Sequence, residues 1–283
     1  MIAVVGATGT IGSAVMHSLE EAGAEAVGFS KSHVDPRRRL DLADKQTWGA
    51  LPSGVDAVLV SAGNSDLRTC CEQPAATRAV NVEGTADLVR FVAERGSFPV
   101  VVSTSYVFDG SRPDFSPGDT VCPRCEYGKQ KADLEGKLKG LPQDYAVVRI
   151  TKVFGKTSRL LTAWKKALSQ GKEIRAAGDA RLSPVTEDFA GSAFASLLQL
   201  RRPGVFQISG CDDVSWFEVA QSLARKCGVD DAKVKNSHLM DIDPSAEFVP
   251  RHGTLRVAWP ESIEAPRSVL AVDRLLENIC ASK

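Results

Sequence analysis

"MIAVVGATGTIG", residues 1–12, sets a short apolar run against glycines at positions 6, 9 and 12. An unalternating, β-branched run of this length reads as a strand buried on both faces. Directly after it, Ile11, Val15, Leu19 and Ala22 recur at helical spacing, and Gly23 is placed to end the helix. A strand passing through three glycines into an amphipathic helix is the context that gives a glycine-rich motif meaning. Without a Cβ, the glycine backbone can approach a pyrophosphate, and the free N–H groups at the helix start can donate to it. Gly6, Thr8, Gly9, Thr10, Ile11 and Gly12 are therefore expected to bind a dinucleotide. A merely tight strand-to-helix turn would not need three glycines.

The same alternation continues outward from this stretch. "AEAVGF" (24–29), "DAVLVSAG" (56–63), "FPVVVST" (98–104) and "YAVVRI" (145–150) read as strands, with helical patterns over about 74–95 and 127–138. Strands of this kind separated by helices imply a parallel sheet covered on both faces, a Rossmann-type doubly wound α/β fold. Beyond residue 150 the regularity weakens. Residues 158–171 and 186–200 look helical and 204–210 like a strand, while 215–228 opens with Ser215 and Glu218 at capping-box spacing and closes on Gly228. The last fifty residues, rich in Pro, Asp and His, show poor periodicity and no assignable element. Residues 1–150 are expected to form the dinucleotide-binding domain. Residues 151–283 are expected to form mainly a smaller α/β substrate lobe interleaved with the sheet, because no linker marks a clean boundary.

The end of the second strand decides which dinucleotide is bound. An Asp or Glu there would hold the adenosine ribose of NAD and repel a 2′-phosphate. The chain has Ser30 and Lys31 instead, with Arg37, Arg38 and Arg39 close behind, so NADP(H) is favoured, and Asp35 keeps NAD(H) possible. Asp41 and Leu42, after a third short strand, are expected near the adenine. Ala62 and Gly63, at the carboxyl end of the next strand, are expected near the phosphates and ribose.

Thirty-five basic residues balance thirty-five acidic ones, so no global field recruits nucleic acid or an anionic membrane, and the partner is expected to be a small molecule. No secretion signal precedes the first strand, and no apolar stretch reaches the ~18 residues needed to span a bilayer, so a soluble cytoplasmic protein is expected, with a homodimer compatible. Seven cysteines fit reduced thiols. Cys122 and Cys125 form a lone C-x-x-C without a second pair, and Cys70 and Cys71 are poorly placed to chelate together. His17, His33, His238 and His252 are scattered, and no metal is expected.

If 127–138 is a helix, Tyr127, Lys131, Leu134 and Leu138 share one stripe. An ammonium one turn away favours the phenolate, so the Tyr127 hydroxyl can exchange a proton near neutral pH. Upstream, Ser103, Thr104 and Ser105 stand at the carboxyl end of a core strand, where open α/β sheets bind ligands and a hydroxyl can stabilise charge on a carbonyl oxygen. Asn81 could stabilise the active-site backbone or a water relay, or be an ordinary polar residue of a covering helix. Arg149 could meet a phosphate or form an internal ion pair, and Trp164 and Trp216 read as lobe core.

At this point the chain resembles the extended short-chain dehydrogenase/reductases, and within them the dTDP-4-dehydrorhamnose reductase group and its sugar-nucleotide-binding relatives. "GATGTIG", "LDLAD" (40–44), "NVEGT" (81–85), "STSYVFDG" (103–110), "YGKQKADLE" (127–135), "VRITKVFG" (148–155), "SPVTEDFA" (183–190) and "GVFQISGCDDVSWFEVA" (204–220) carry the resemblance in family order. It implies a catalytic set of Thr104, Tyr127 and Lys131, with Tyr127 and Lys131 also contacting the cofactor. The implied reaction is NADPH-dependent reduction of a keto group on a nucleotide-linked sugar. The chain departs from the family at Ser105, usually an aspartate, at Lys152, usually a tryptophan, and over 61–74. Those departures put the rhamnose-pathway substrate in question. An acid pair for dehydration is missing after Thr104. The alternatives are a nucleotide-sugar epimerase or a non-catalytic NADP-binding subunit of the methionine adenosyltransferase β type.

Overall fold

The computed structural model describes residues 1–155, 158–261 and 263–281. Strands β1 (Ile2–Val5), β2 (Ala26–Phe29), β3 (Ala57–Val60), β4 (Phe98–Thr104) and β5 (Ala146–Ile150) pair in parallel in the order β5-β4-β3-β1-β2. Every residue of β1, β3, β4 and β5 is buried, which is why their sequences run apolar without alternation. Between them lie α1 (Thr10–Glu21), α2 (Leu67–Glu72), α3 (Pro74–Arg78), α4 (Thr85–Glu94) and α5 (Glu126–Leu138), with a π-helical turn, Ala79–Gly84, joining α3 to α4. The chain leaves β1 for β2 on one side and returns to β3 on the other. That reversal opens a crevice at the carboxyl ends of β1 and β3.

After β5 come β6 (Val153–Phe154), α6 (Arg159–Ser169), β7 (Ile174–Ala177), β8 (Arg181–Leu182), β9 (Val185–Thr186), α7 (Glu187–Leu200) and β10 (Gly204–Ile208). Two of these rejoin the central layers. β10 adds a sixth parallel strand beside β5. On one face of the sheet, Phe194, Leu197 and Leu198 of α7 share a core with Val15 and Leu19 of α1. On the other face, Leu88, Val89 and Val92 of α4 and Leu134 and Leu138 of α5 complete a second core.

The remaining elements are β11 (Val214–Ser215), α8 (Trp216–Lys226), β12 (Val234–Ser237), α9 (Leu239–Ile242) and α10 (Ser268–Ala281). The capping box at Ser215 and Glu218 is formed. Helices α6, α8 and α10 enclose a third core around the β7–β12 pair, in which Trp164 meets Trp216 edge-on at 6.3 Å. The last fifty residues therefore hold a strand and two helices that the sequence reading left unassigned.

One further expectation is corrected. The third short strand before Asp41 is only an isolated bridge between Ser30 and Arg39, after a 3-10 turn over Pro36–Arg38. Asp35 caps that turn, and the Asp41 backbone is occupied by the side chains of Thr47 and Trp48, so no ladder extends. Within 61–74, α2 forms because the Asp66 carboxylate accepts from the Thr69 amide at 2.7 Å. No described helix is long and apolar enough to cross a membrane.

Candidate active site

The glycine loop is built by close backbone approach. Gly6 has φ 96°, and a Cβ there would lie 2.5 Å from the Ala62 nitrogen, while one on Gly12 would lie 2.2 Å from the Gly6 carbonyl oxygen. Thr8, Gly9 and Thr10 are exposed around the start of α1, and no side chain caps that helix, so its first amides remain available as donors. Ala62 and Gly63 adjoin this loop at the end of β3. Behind them the fully buried Asn81 accepts from the Asn64 amide at 2.8 Å and donates to the Asn64 carbonyl at 2.8 Å and to Gln130 Oε1 at 2.9 Å. Of the roles read for Asn81, these bonds match the holding of backbone, that of Asn64.

At the end of β2 the fold supplies a carboxylate that the local sequence lacks. Asp41 is brought to Lys31, whose Nζ lies 2.8 Å from Asp41 Oδ2. Asp35 is held by Arg37, and Arg39 donates to the His33 carbonyl, leaving Arg38 exposed and without an ion pair among the described residues. The Leu42 side chain is buried in the core under α4. Ser30 is buried and its Oγ has no hydrogen-bond partner. An unpaired buried hydroxyl costs free energy, and one at this strand end, on a residue whose amide donates to the Arg38 carbonyl at 3.2 Å, suits an incoming phosphate oxygen. These residues fit a dinucleotide, Ser30 and Arg38 suiting the 2′-phosphate of NADP and the Asp41 carboxylate the ribose of NAD.

The other half of the site hangs on α5. A Cβ on Gly128 would lie 2.1 Å from the Tyr106 carbonyl oxygen, so the glycine lets α5 press onto the turn after β4. Cys125 accepts from the Gly128 amide at 3.4 Å and caps the helix start. Tyr127 is thereby buried among Cys70, Cys125, Tyr106 and Phe248. Lys131, one turn on, donates from Nζ to the Val102 carbonyl at 2.9 Å. Thr104 Oγ accepts from the Tyr106 amide at 3.3 Å, which leaves its hydroxyl proton free to donate.

Burial governs the protonation of this set. It raises the Tyr127 phenol well above its ordinary value, with Cys70, Tyr106 and Cys125 adding to the rise and the Thr104 hydroxyl opposing it. It also lowers the Lys131 ammonium to about 8, against the pull of Glu135. The expectation that the ammonium would favour the phenolate is therefore corrected: both groups are desolvated, and each is pushed toward its neutral form.

Thr104 and Tyr127 line a cavity of about 260 Å³ that Thr10 and Ile11 of α1 also line. The start of the glycine-loop helix and the hydroxyl pair thus meet at one space. Lys131 lies behind Tyr127, and Ser30, Lys31 and Asp41 lie at the other end of the crevice. Ser103, expected to present a hydroxyl, instead donates to Glu135 Oε1 at 2.6 Å. Arg149 forms an internal ion pair with the same carboxylate at 2.7 Å. The cavity wall also includes Lys152, Arg181, His252 and Phe248. All seven cysteines are free thiols, and no metal-holding cluster occurs among the described residues.

The family model described as RmlD substrate binding domain matches residues 1–258. The chain belongs to that family. One relative, named "Probable low-salt glycan biosynthesis reductase Agl14", from Haloferax volcanii, is 28% identical over 269 residues, which are 90% of this chain and 89% of that protein. The methionine adenosyltransferase 2 subunit beta of Rattus norvegicus is 25% identical over 258 residues, 86% of this chain and 75% of its own length. Among solved structures, the dTDP-4-dehydrorhamnose reductase of Bacillus anthracis in complex with NADP matches with a TM-score of 0.83 over 98% of each chain, at 18% identity. That last likeness is one of fold. The family match spans every motif quoted for the resemblance, from "GATGTIG" to "GVFQISGCDDVSWFEVA".

Proposed function

We propose that this chain is an NADPH-dependent reductase of a keto group on a nucleotide-linked sugar. One observation carries the reading: Thr104 and Tyr127 line the same cavity as the first residues of the glycine-loop helix. The reductase relatives support it. In this reading Gly6, Gly9, Gly12 and the α1 amides hold the pyrophosphate, Ser30 and Lys31 the adenosine end, and Ala62 and Gly63 the inner face. NADPH, when bound, supplies a hydride to the carbonyl carbon.

The chain's own groups handle the oxygen. The Thr104 hydroxyl donates a hydrogen bond to the carbonyl oxygen, and Tyr127 gives its proton as negative charge develops there. A phenol whose pKa is raised by burial keeps its proton until that charge appears. Lys131 holds the nicotinamide ribose and the helix register. Ser105 and Tyr106 follow Thr104 where dehydration would need an acid pair, so simple reduction is favoured over elimination.

The test is Tyr127→Phe. It should bind NADPH as tightly as wild type and lose about a hundredfold or more in NADPH oxidation with 4-keto nucleotide sugars. Undiminished turnover would refute the role. The subunit beta relative favours a second reading, an NADP-binding regulatory subunit. That reading wins if no keto sugar nucleotide draws NADPH oxidation from wild type and the protein co-purifies stoichiometrically with an enzyme.

A further inference from the structure

The cavity beside Thr104 and Tyr127 is lined by three basic side chains, Lys152, Arg181 and His252, and by no carboxylate among the described residues. Two of the three are compensated from behind the wall. Arg181 pairs with Glu218 at 3.2 Å, and His252 with Asp213 at 3.1 Å. Lys152 has no hydrogen-bond or ion-pair partner among the described residues. The residue is exposed to solvent, yet the protein packed near it lowers its pKa, with no carboxylate raising it.

Its backbone is fixed. The Lys152 carbonyl accepts from the Val185 amide at 2.9 Å, and Ile150, two residues earlier, stands in register with Thr104. Two residues of extended chain span about 7 Å, so the lysine springs from the wall close to the reacting hydroxyls. An ammonium on a cavity wall with no carboxylate beside it is open to pair with an anion that enters the cavity. Within that reach of the reduced carbonyl lie the substituents of the sugar ring and, beyond them, the diphosphate.

Resting on the nucleotide-sugar reading above, we propose that Lys152 selects a substrate whose sugar carries a carboxylate, as in a nucleotide uronate. The matching single charge and the reach of the side chain favour a carboxylate on the ring over the diphosphate.

The test compares UDP, UDP-glucose and UDP-glucuronate, and the corresponding dTDP compounds, by calorimetric titration of the full chain with NADP⁺ present. Wild type is expected to bind the glucuronate form about tenfold to a hundredfold more tightly than the glucose form. Lys152→Gln should abolish that preference without changing affinity for the nucleoside diphosphate, and Lys152→Arg should retain most of it. Equal binding of glucose and glucuronate forms by wild type overturns the inference alone. So does a loss of diphosphate affinity in Lys152→Gln, which would assign the lysine to the diphosphate. If no compound of either series binds wild type, the nucleotide-sugar reading falls and this inference with it.

Discussion

Replacing Arg149 with methionine is expected to destabilise the protein by about 3–5 kcal/mol, because it leaves the Glu135 carboxylate buried without its partner. Both side chains are about 95% shielded from solvent, with 5% and 6% exposed. Arg149 makes three contacts with Glu135, at 2.7, 3.1 and 3.2 Å, and one with the Pro117 carbonyl at 3.1 Å. Methionine keeps much of the arginine stem, so the loss is of charge pairing rather than of volume. The carboxylate would keep the Ser103 hydroxyl, at 2.6 Å. Replacing both partners, Arg149→Met with Glu135→Leu, removes the stranded charge and should recover most of the loss, since a buried pair contributes little beyond an apolar pair of similar size. Urea unfolding of wild type, both single variants and the double variant closes the cycle. A single-variant cost below about 1 kcal/mol, or a double variant as unstable as the sum of the singles, would refute the reasoning.

Gly128→Ala places a Cβ 2.1 Å from the Tyr106 carbonyl oxygen and 3.2 Å from Pro123 Cβ, so α5 and the turn after β4 must part by roughly 1 Å. We expect ~1–3 kcal/mol of lost stability by calorimetry and about a hundredfold loss of ketone reduction with NADPH affinity unchanged; wild-type turnover would contradict this. The pH dependence of stability isolates Lys131. Its folded pKa of about 8 lies below the unfolded value of 10.5, so between these the unfolded chain binds more protons and wild-type stability rises with pH. Relative to Lys131→Met, wild type should therefore gain stability as the pH is raised through that window. A difference in melting temperature that stays flat from pH 7 to about 10 would show that the lysine is not desolvated.

The sheet strands were legible because each buried run lies between two helical layers and so reads apolar throughout. The reading failed where structure comes from distant partners. α10 buries Ala271, Val272, Leu275, Leu276 and Ile279 at plain helical spacing, a signal that was there to be read. Its start, however, is fixed by Asp212, which accepts from the Ser268 amide at 2.6 Å across 56 positions. Likewise Arg181 and His252 reach the cavity through backbone bonds to Pro250 and Gly110, and no local pattern marks them. Spacing placed Tyr127 and Lys131 on one helix face but could not reveal how deeply that face is buried. The protonation states follow from that depth, which is why proximity of charge alone misjudged the phenol.

The α5 stripe explains how position is transmitted to the site. Tyr127, Lys131 and Glu135 are spaced by four, and each meets the end of β4 differently. Tyr127 shares the cavity wall with Thr104, Lys131 bonds the Val102 carbonyl, and Glu135 takes the Ser103 hydroxyl and Arg149 of β5. Three polar anchors along one strand end leave the helix little freedom to slide or rotate, since each is buried and would lose its partner by moving. The anchor farthest from the chemistry, the Glu135–Arg149 pair, therefore sets where the Tyr127 hydroxyl stands. Arg149→Met should thus lower turnover more than NADPH affinity, even at temperatures where the variant is fully folded.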